Sequence, residues 1–304
     1  MSEAAFLSLL RGMATSPAAL GLQDDCALLE VGGARLVMTQ DSIVESVHFR
    51  PDDPPDSIGW KLAAVNLSDL AAKGARPLGC LMSYALSGDE GWDSAFLTGL
   101  NDALTRYAMP LIGGDTVRMP AGAPRSFTLT AIGEAQPGAV PTRGGAREGD
   151  GLYITGPVGD AGFALEARLE GQSLEEGFLD RYRRPIPRLS EGQALAPHAH
   201  ATMDVSDGLL IDAQRMADAS GLGVLIDAIP LSDELKKWWG DAIETRLAAA
   251  TMGDDYELLI ALPGAPPPDV PLFRVGRFTD APGLQLMLDG RHVPVPERLG
   301  YTHD

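Results

Sequence analysis

Six short segments of this 304-residue chain carry aspartates, mostly beside glycine, serine or threonine: GLQDDCALLE (Asp24, Asp25), MTQDS (Asp41), NLSDLAAKGA (Asp69), IGGDT (Asp115), MDVSDG (Asp204, Asp207) and MGDDYEL (Asp254, Asp255). Carboxylates gathered from several loops are hard oxygen ligands, the donor type through which a divalent cation bridges a protein to phosphate. Any one of these segments is also ordinary turn or helix-cap chemistry. Their recurrence at strand ends and helix starts points to a gathered set.

Asp69 stands in a stretch that reads as a helix. From Ile58 to Ala72 apolar positions recur at near-helical spacing, and Gly74 with Pro77 supplies a stop. At about 100° per residue, Asn66, Asp69 and Lys73 form one narrow stripe, with Leu62 inside it and Leu70 at its edge. A carboxylate so framed is partly withdrawn from water, and leaving it unpartnered costs several kcal/mol. Two partners are open to it: a cation, or Lys73 one turn on.

IGGDT follows an apolar run, Pro110 to Ile112, with two glycines and a carboxylate. Glycine lets a backbone N–H approach a phosphate oxygen while the adjacent aspartate holds the bridging cation; a tight turn after a strand is the alternative. MDVSDG ends a strand-like segment and opens a helix, where free N–H groups take an anion while Asp204 and Asp207 hold metal, or where Ser206 or Asp204 is simply the cap. His48, in ESVHFRP, offers an imidazole donor to a phosphate oxygen, or is a structural histidine beside Phe49.

The elements that must position these residues interleave strands and helices in both halves, an α/β or α+β pattern. β-like runs cover Arg35 to Thr39 and Ser126 to Ile132, and helical stretches Ser57 to Gly74, from Ala161, and Ser206 to Ser220 with Gly221 as stop. A Gly/Pro-rich segment at 133–150 is the candidate boundary, giving domains 1–138 and 139–304. GPVGDAG, between a strand and a helix, reads as turn chemistry.

There is no GxxxxGK[ST] loop, no HRD or DFG element and no complete GxGxxG fingerprint, which sets aside the common nucleotide-binding architectures. The net charge of −18 disfavours a nucleic-acid partner, and 45% hydrophobic with 22% charged residues is ordinary for a folded chain. Cys26 and Cys80 form no CxxC pair, so neither a disulfide framework nor a zinc site is indicated. The N-terminus lacks signal-peptide character and no stretch approaches membrane-spanning length, so the expected setting is cytoplasmic, with no membrane partner.

Taken in order and spacing, GLQDDCALLE, MTQDSIVESVHFRP, VNLSDLAAKGARP, LIGGDT, PTRGGAREGD, MDVSDGL and GDDYELL resemble the signature segments of the thiamine-monophosphate kinase family, from about residue 21 onward. The resemblance implies a two-domain fold like that of aminoimidazole ribonucleotide synthetase: an N-terminal α/β half whose sheet forms a barrel with that of a second subunit, hence a homodimer, and an α+β C-terminal half. It implies transfer of the γ-phosphoryl group of ATP to thiamine monophosphate. It further implies Mg2+ ligands at Asp25, Thr39, Asp41, Asp69, Asp115, Asp204 and Asp207, with Gln40 contributing through its backbone. ATP contacts fall at Gly114, Asp115, Arg143 and Ser206, and the catalytic group is Asp41, Asp69, Asp115 and Arg143. His48 and Asp254 would face thiamine monophosphate.

Two positions depart from the family pattern: Asp254 stands where Glu is usual, and Arg298 falls roughly where an aromatic residue stacks on the substrate. Arg298 is expected on phosphate or solvent, with Tyr301 or Trp60 as the stacking ring. Within the fold, a selenophosphate synthetase calls for an N-terminal Cys and Lys and a hydrogenase-maturation relative for a C-terminal Cys, and neither is present. The rival from another class is a nucleotide-binding dimer without turnover. At an effective dielectric of ~20, two unit charges ~4 Å apart repel by ~4 kcal/mol, which assigns the aspartates to cations that screen two anionic substrates rather than to acid/base work.

Overall fold

The structure is a computed structural model and describes residues 3–120 and 122–302. α1 (Glu3–Arg11) and a 3-10 turn (Pro17–Leu22) lead into β1 (Ala27–Val31), β2 (Ala34–Val44), α2 (Pro55–Ala72), β3 (Arg76–Leu86), α3 (Glu90–Arg106), β4 (Leu111–Arg118) and β5 (Ser126–Glu134). These strands form one sheet in the order β1-β2-β5-β3-β4, with β3 and β4 parallel and the other pairs antiparallel. Strict alternation on β5 turns Phe127, Leu129 and Ala131 inward, where they meet α2 and α3. The two helices pack backbone to backbone, since a Cβ on Gly99 would lie 1.7 Å from the Asp56 carbonyl oxygen.

The second half contributes β6 (Gly151–Ile154), α4 (Asp160–Leu169), α5 (Glu176–Arg183), α6 (Leu189–Leu195), β7 (Ala201–Val205), α7 (Leu209–Ser220), β8 (Gly223–Ile226), α8 (Asp233–Trp239), α9 (Ile243–Ala250), β9 (Glu257–Leu262), β10 (Phe273–Thr279), β11 (Gly283–Leu288) and β12 (Arg291–Val293). Its sheet runs β12-β11-β8-β10-β6-β9-β7. The Gly/Pro-rich stretch joins the two sheets and is tied down by a bridge between Thr142 and Ala201.

β9 explains where the halves meet. All six of its residues are buried: Leu258, Ile260 and Leu262 join the core around α2, while Leu259 and Ala261 join the core of the second half. α2 therefore lies between two sheets, which is why its residues Ser57–Ala72 are buried on every side rather than along one stripe. The helix begins at Pro55, whose missing N–H is harmless in a first turn, and ends with Lys73 as C-cap before Gly74 at φ 58°. Everything polar on this helix has to find its partner inside the protein.

Candidate active site

Asp69 lies in the last turn of α2, 7% exposed, where Thr39 from β2 donates its hydroxyl to Oδ2. One turn earlier Asn66 accepts the Asp41 N–H at 3.0 Å, which docks β2 on the helix. Asp204, near the end of β7 and 4% exposed, accepts the Ser68 hydroxyl at 2.7 Å. Asp25 arrives from the segment before β1. One oxygen each from Asp25, Asp69 and Asp204 lie within 4.8 Å of one another.

Such crowding is electrostatically costly, and the carboxyl groups show it. Burial, then the charges of Asp41, Asp204 and Asp25, push Asp69 well above the usual carboxylate range. Burial and Asp25 do the same to Asp204, and burial with Asp25 and Asp207 pushes Asp41 up to about 6. Asp25 goes the other way. Burial would raise it, but the Arg143 guanidinium and the Lys73 ammonium outweigh burial and hold it below its ordinary value. Lys73, fully buried, stands 2.5 Å from Asp24 and 3.6 Å from Asp25 and donates to the Thr202 carbonyl at 3.1 Å. Lys73 is thus the partner of the Asp24–Asp25 pair and not of Asp69, because the C-cap position turns its side chain toward the segment before β1.

The donor set fits a divalent cation. It is all oxygen, it converges from three parts of the fold (the segment before β1, α2 and β7), and Oδ2 of Asp25 is buried without a hydrogen-bond partner among the described residues. Asp207 and Ser206 line the same cleft of about 1280 Å3, with Asp207 paired to Arg215 at 2.5 Å. Neither Ser206 nor Asp204 caps α7. Asp212 in its first turn accepts instead from the N–H groups of Asp207 at 3.1 Å and Gly208 at 3.2 Å, consuming donors that sequence reading had left open to an anion.

The cleft is also lined by His48, Asp254, Arg298 and Tyr301. His48 Nδ1 accepts the Val44 N–H at 3.1 Å, so a neutral ring carries its proton on Nε2. Lys61 of α2, 2% exposed, reaches Asp254 Oδ2 at 2.9 Å and the His48 carbonyl at 2.9 Å. This lysine is not among the residues that the sequence motifs single out. The signal was present: a charge flanked by apolar residues in WKLAAV, within a helical stretch, must be paired where it is buried. Trp60 is not in the cleft. It is buried against Tyr107 and donates its indole N–H to the Pro185 carbonyl at 2.9 Å.

IGGDT is not a turn. Gly113, Gly114 and Asp115 continue inside β4, and a Cβ on Gly114 would fall 1.9 Å from the Met82 carbonyl oxygen, so only glycine lets β4 lie against β3 there. Asp41, Leu129, Met82 and Gly114 form one row across the sheet, and Ser42, Thr128, Ser83 and Asp115 the next. Three strand spacings of about 4.8 Å set the two ends of a row roughly 14 Å apart, and adjacent rows point to opposite faces. Asp41 faces α2; Asp115 faces outward. Gln40 is also outward, accepting the Thr130 hydroxyl at 2.8 Å, while Thr39 is inward. Within one chain, Asp115, Gly114 and the Gln40 side chain do not join the aspartate cluster.

Comparison with known proteins agrees with this architecture. The AIR synthase related protein N-terminal domain matches residues 23–135, and the corresponding C-terminal domain matches 147–289. The thiamine-monophosphate kinase of Caulobacter vibrioides is 36% identical over 305 residues, covering 94% of this chain and 86% of that protein. The thiamine-monophosphate kinase of Escherichia coli K12 is 39% identical, covering 93% and 91%. The chain belongs to the thiamine-monophosphate kinase family. A solved structure described as AaThiL complexed with AMPPCP and TMP superposes with a TM-score of 0.88 at 28% identity, covering all of this chain and 97% of that one. The thiamine-monophosphate kinase family thus accounts for the two-domain α/β architecture. Among the described residues no helix is long and apolar enough to cross a membrane.

Proposed function

We propose that the cleft transfers the γ-phosphoryl group of ATP to thiamine monophosphate, giving thiamine diphosphate and ADP, in one in-line step. The observation that carries this reading is the cluster of Asp25, Asp69 and Asp204 oxygens within 4.8 Å, in a cleft that His48 and Asp254 also line. Family membership supplies the substrates.

Asp25, Asp41, Asp69, Asp204 and Asp207 are the residues to hold Mg2+, with Thr39 fixing the Asp69 carboxylate. When bound, the ion neutralises phosphate charge and aligns the reacting groups. Arg143, already on Asp25, adds a fixed positive charge at the phosphate end. Ser206 lines the same cleft. His48 offers its Nε2 proton to the acceptor phosphate, which is largely ionised near neutral pH and needs no general base. Asp254 accepts from the thiamine moiety, and Tyr301 is the ring placed to cover it.

A homodimer follows from the same reading. All eight residues of β4 are exposed, Leu111, Ile112 and Val117 among them, and the outer sheet face also presents Leu81. Pairing these faces in two subunits would cover that apolar surface, close a barrel, and bring Asp115 and Gly114 of one subunit to the cleft of the other. Free Cys26 and Cys80, both buried, suit the reducing cytoplasm.

The deciding experiment is ADP release with ATP and Mg2+, with and without thiamine monophosphate. ADP production that depends on thiamine monophosphate and stops with excess chelator is the expected result. Nucleotide binding without turnover would favour the non-catalytic dimer.

A further inference from the structure

We infer that Lys61 is the positioning residue of the acceptor wall: it fixes the Asp254 carboxylate and the His48 loop in one geometry and so sets affinity for thiamine monophosphate rather than for ATP. This rests on the reading above that His48 and Asp254 face the acceptor.

The ammonium of Lys61 is engaged on three sides. It donates to the His48 carbonyl and to Asp254 Oδ2, each at 2.9 Å, and lies 4.1 Å from the centre of the Tyr182 ring. A lysine with 2% exposure held this way has no freedom to wander, so its partners are fixed by it. The other oxygen of Asp254 accepts the Tyr256 hydroxyl at 3.0 Å. Both oxygens are therefore aimed, and the carboxylate keeps lone pairs for a ligand donor while its charge is offset.

The backbone around these contacts is strained. Asp254 has φ 68° and Ser46, two residues before His48, has φ 67°, a region that side chains other than glycine rarely adopt. Such conformations persist only when their surroundings over-determine them. Asp254 is held by its N–H on the Ser206 carbonyl at 2.8 Å and Ser46 by its N–H on the Phe49 carbonyl at 2.7 Å. Lys61 is the one side chain among the described residues that bonds to both His48 and Asp254.

Lys61 also shares α2 with Asp69, eight residues on, about 12 Å along the axis. One rigid helix, buried from Ser57 to Ala72, thus places the phosphate-end carboxylate and the acceptor-end clamp at a fixed separation.

The test measures KM for each substrate, kcat and melting temperature of the full chain for Lys61→Met and Lys61→Gln, beside Asp254→Asn and His48→Ala. Glutamine keeps one donor for the His48 carbonyl and serves where methionine prevents folding. We expect either Lys61 variant to raise the KM for thiamine monophosphate about tenfold, or about 1.4 kcal/mol, with the KM for ATP within about threefold. Effects of Lys61→Gln and Asp254→Asn should be less than additive. Equal rises in both KM values, or a lower melting temperature with neither KM moved, would overturn the clamp and leave Lys61 a packing residue. If Asp254→Asn and His48→Ala themselves leave the KM for thiamine monophosphate unchanged, it is the acceptor-wall reading that fails.

Discussion

Asp41 and Asp115 stand on opposite faces of one sheet, with β5 and β3 between their strands. No side-chain rotation brings both to one phosphate within a chain. If both serve catalysis, Asp115 acts in the cleft of a second subunit. Mixing subunits carrying Asp69→Asn with subunits carrying Asp115→Asn, each inactive alone, should then restore about a quarter of wild-type activity, because half the dimers are mixed and each has one intact site. Absence of recovery in dimers shown to have exchanged subunits would place Asp115 outside the chemistry.

Asp69 and Lys73, one turn apart on α2, should respond to neutralisation in opposite ways. Asp69 is crowded by like charges, so Asp69→Asn should leave the metal-free fold as stable as before or more so, while kcat falls at least about a hundredfold. Lys73 compensates two buried carboxylates, so Lys73→Met should cost about 3 kcal/mol or more in stability. Urea unfolding in chelator, with turnover measured in parallel, checks both. A Lys73→Met variant as stable as the parent would mean that Asp24 and Asp25 find other partners.

What could be read from the sequence divides along physical lines. α2 and β5 were visible because their patterns are local: helical spacing capped by Gly74, and strict alternation from Ser126. The aspartate cluster was visible as recurrence, since loop carboxylates keep their turn-forming neighbours. The pairing of Lys73 with Asp24 was hidden because it depends on which way a C-cap side chain turns. The strand character of IGGDT was hidden for a different reason: two glycines before an aspartate imitate a turn, and only the close backbone of β3 makes glycine necessary inside a strand. Asp115's outward face likewise depends on strand order, which no local pattern encodes.

Asp255 gives a test by pH. Burial pushes its carboxyl well above the ordinary range; Oδ1 accepts the Gly159 N–H at 2.8 Å, but Oδ2 is buried without a partner among the described residues. An acid whose folded pKa is raised keeps its proton longer in the native state than in the unfolded one. Its contribution is therefore fully present below the unfolded pKa, near 3.8, and is lost as pH rises toward the folded value. Asp255→Asn keeps the acceptor for Gly159 and cannot ionise. The variant should gain stability relative to the parent as pH rises from 5 to 8, measured by urea midpoints. Parallel curves for the two proteins would show that Asp255 does not carry this dependence.

The acceptor ring should be covered by Tyr301, with Arg298 supporting it and Trp60 uninvolved. Tyr301 and Arg298 both line the cleft, whereas Trp60 is buried behind it with its N–H on Pro185. The segment carrying Tyr301 is docked firmly: a Cβ on Gly300 would lie 2.6 Å from the Asp207 carbonyl oxygen, and the Tyr301 N–H donates to that same oxygen at 2.9 Å. Arg298 donates from Nε to the Gly300 carbonyl at 2.9 Å, which shapes the turn and keeps its cation from lying flat on a cationic thiazolium. Ring stacking is worth about 0.5–1.5 kcal/mol, so Tyr301→Ala should raise the KM for thiamine monophosphate about threefold to tenfold with the KM for ATP unchanged. Arg298→Ala should raise it less, through a loosened turn, and Trp60→Ala should lower stability by about 3 kcal/mol or more without moving either KM. If Arg298→Ala abolished binding of thiamine monophosphate while Tyr301→Ala left it intact, the guanidinium and not the phenol ring would be the group on the substrate.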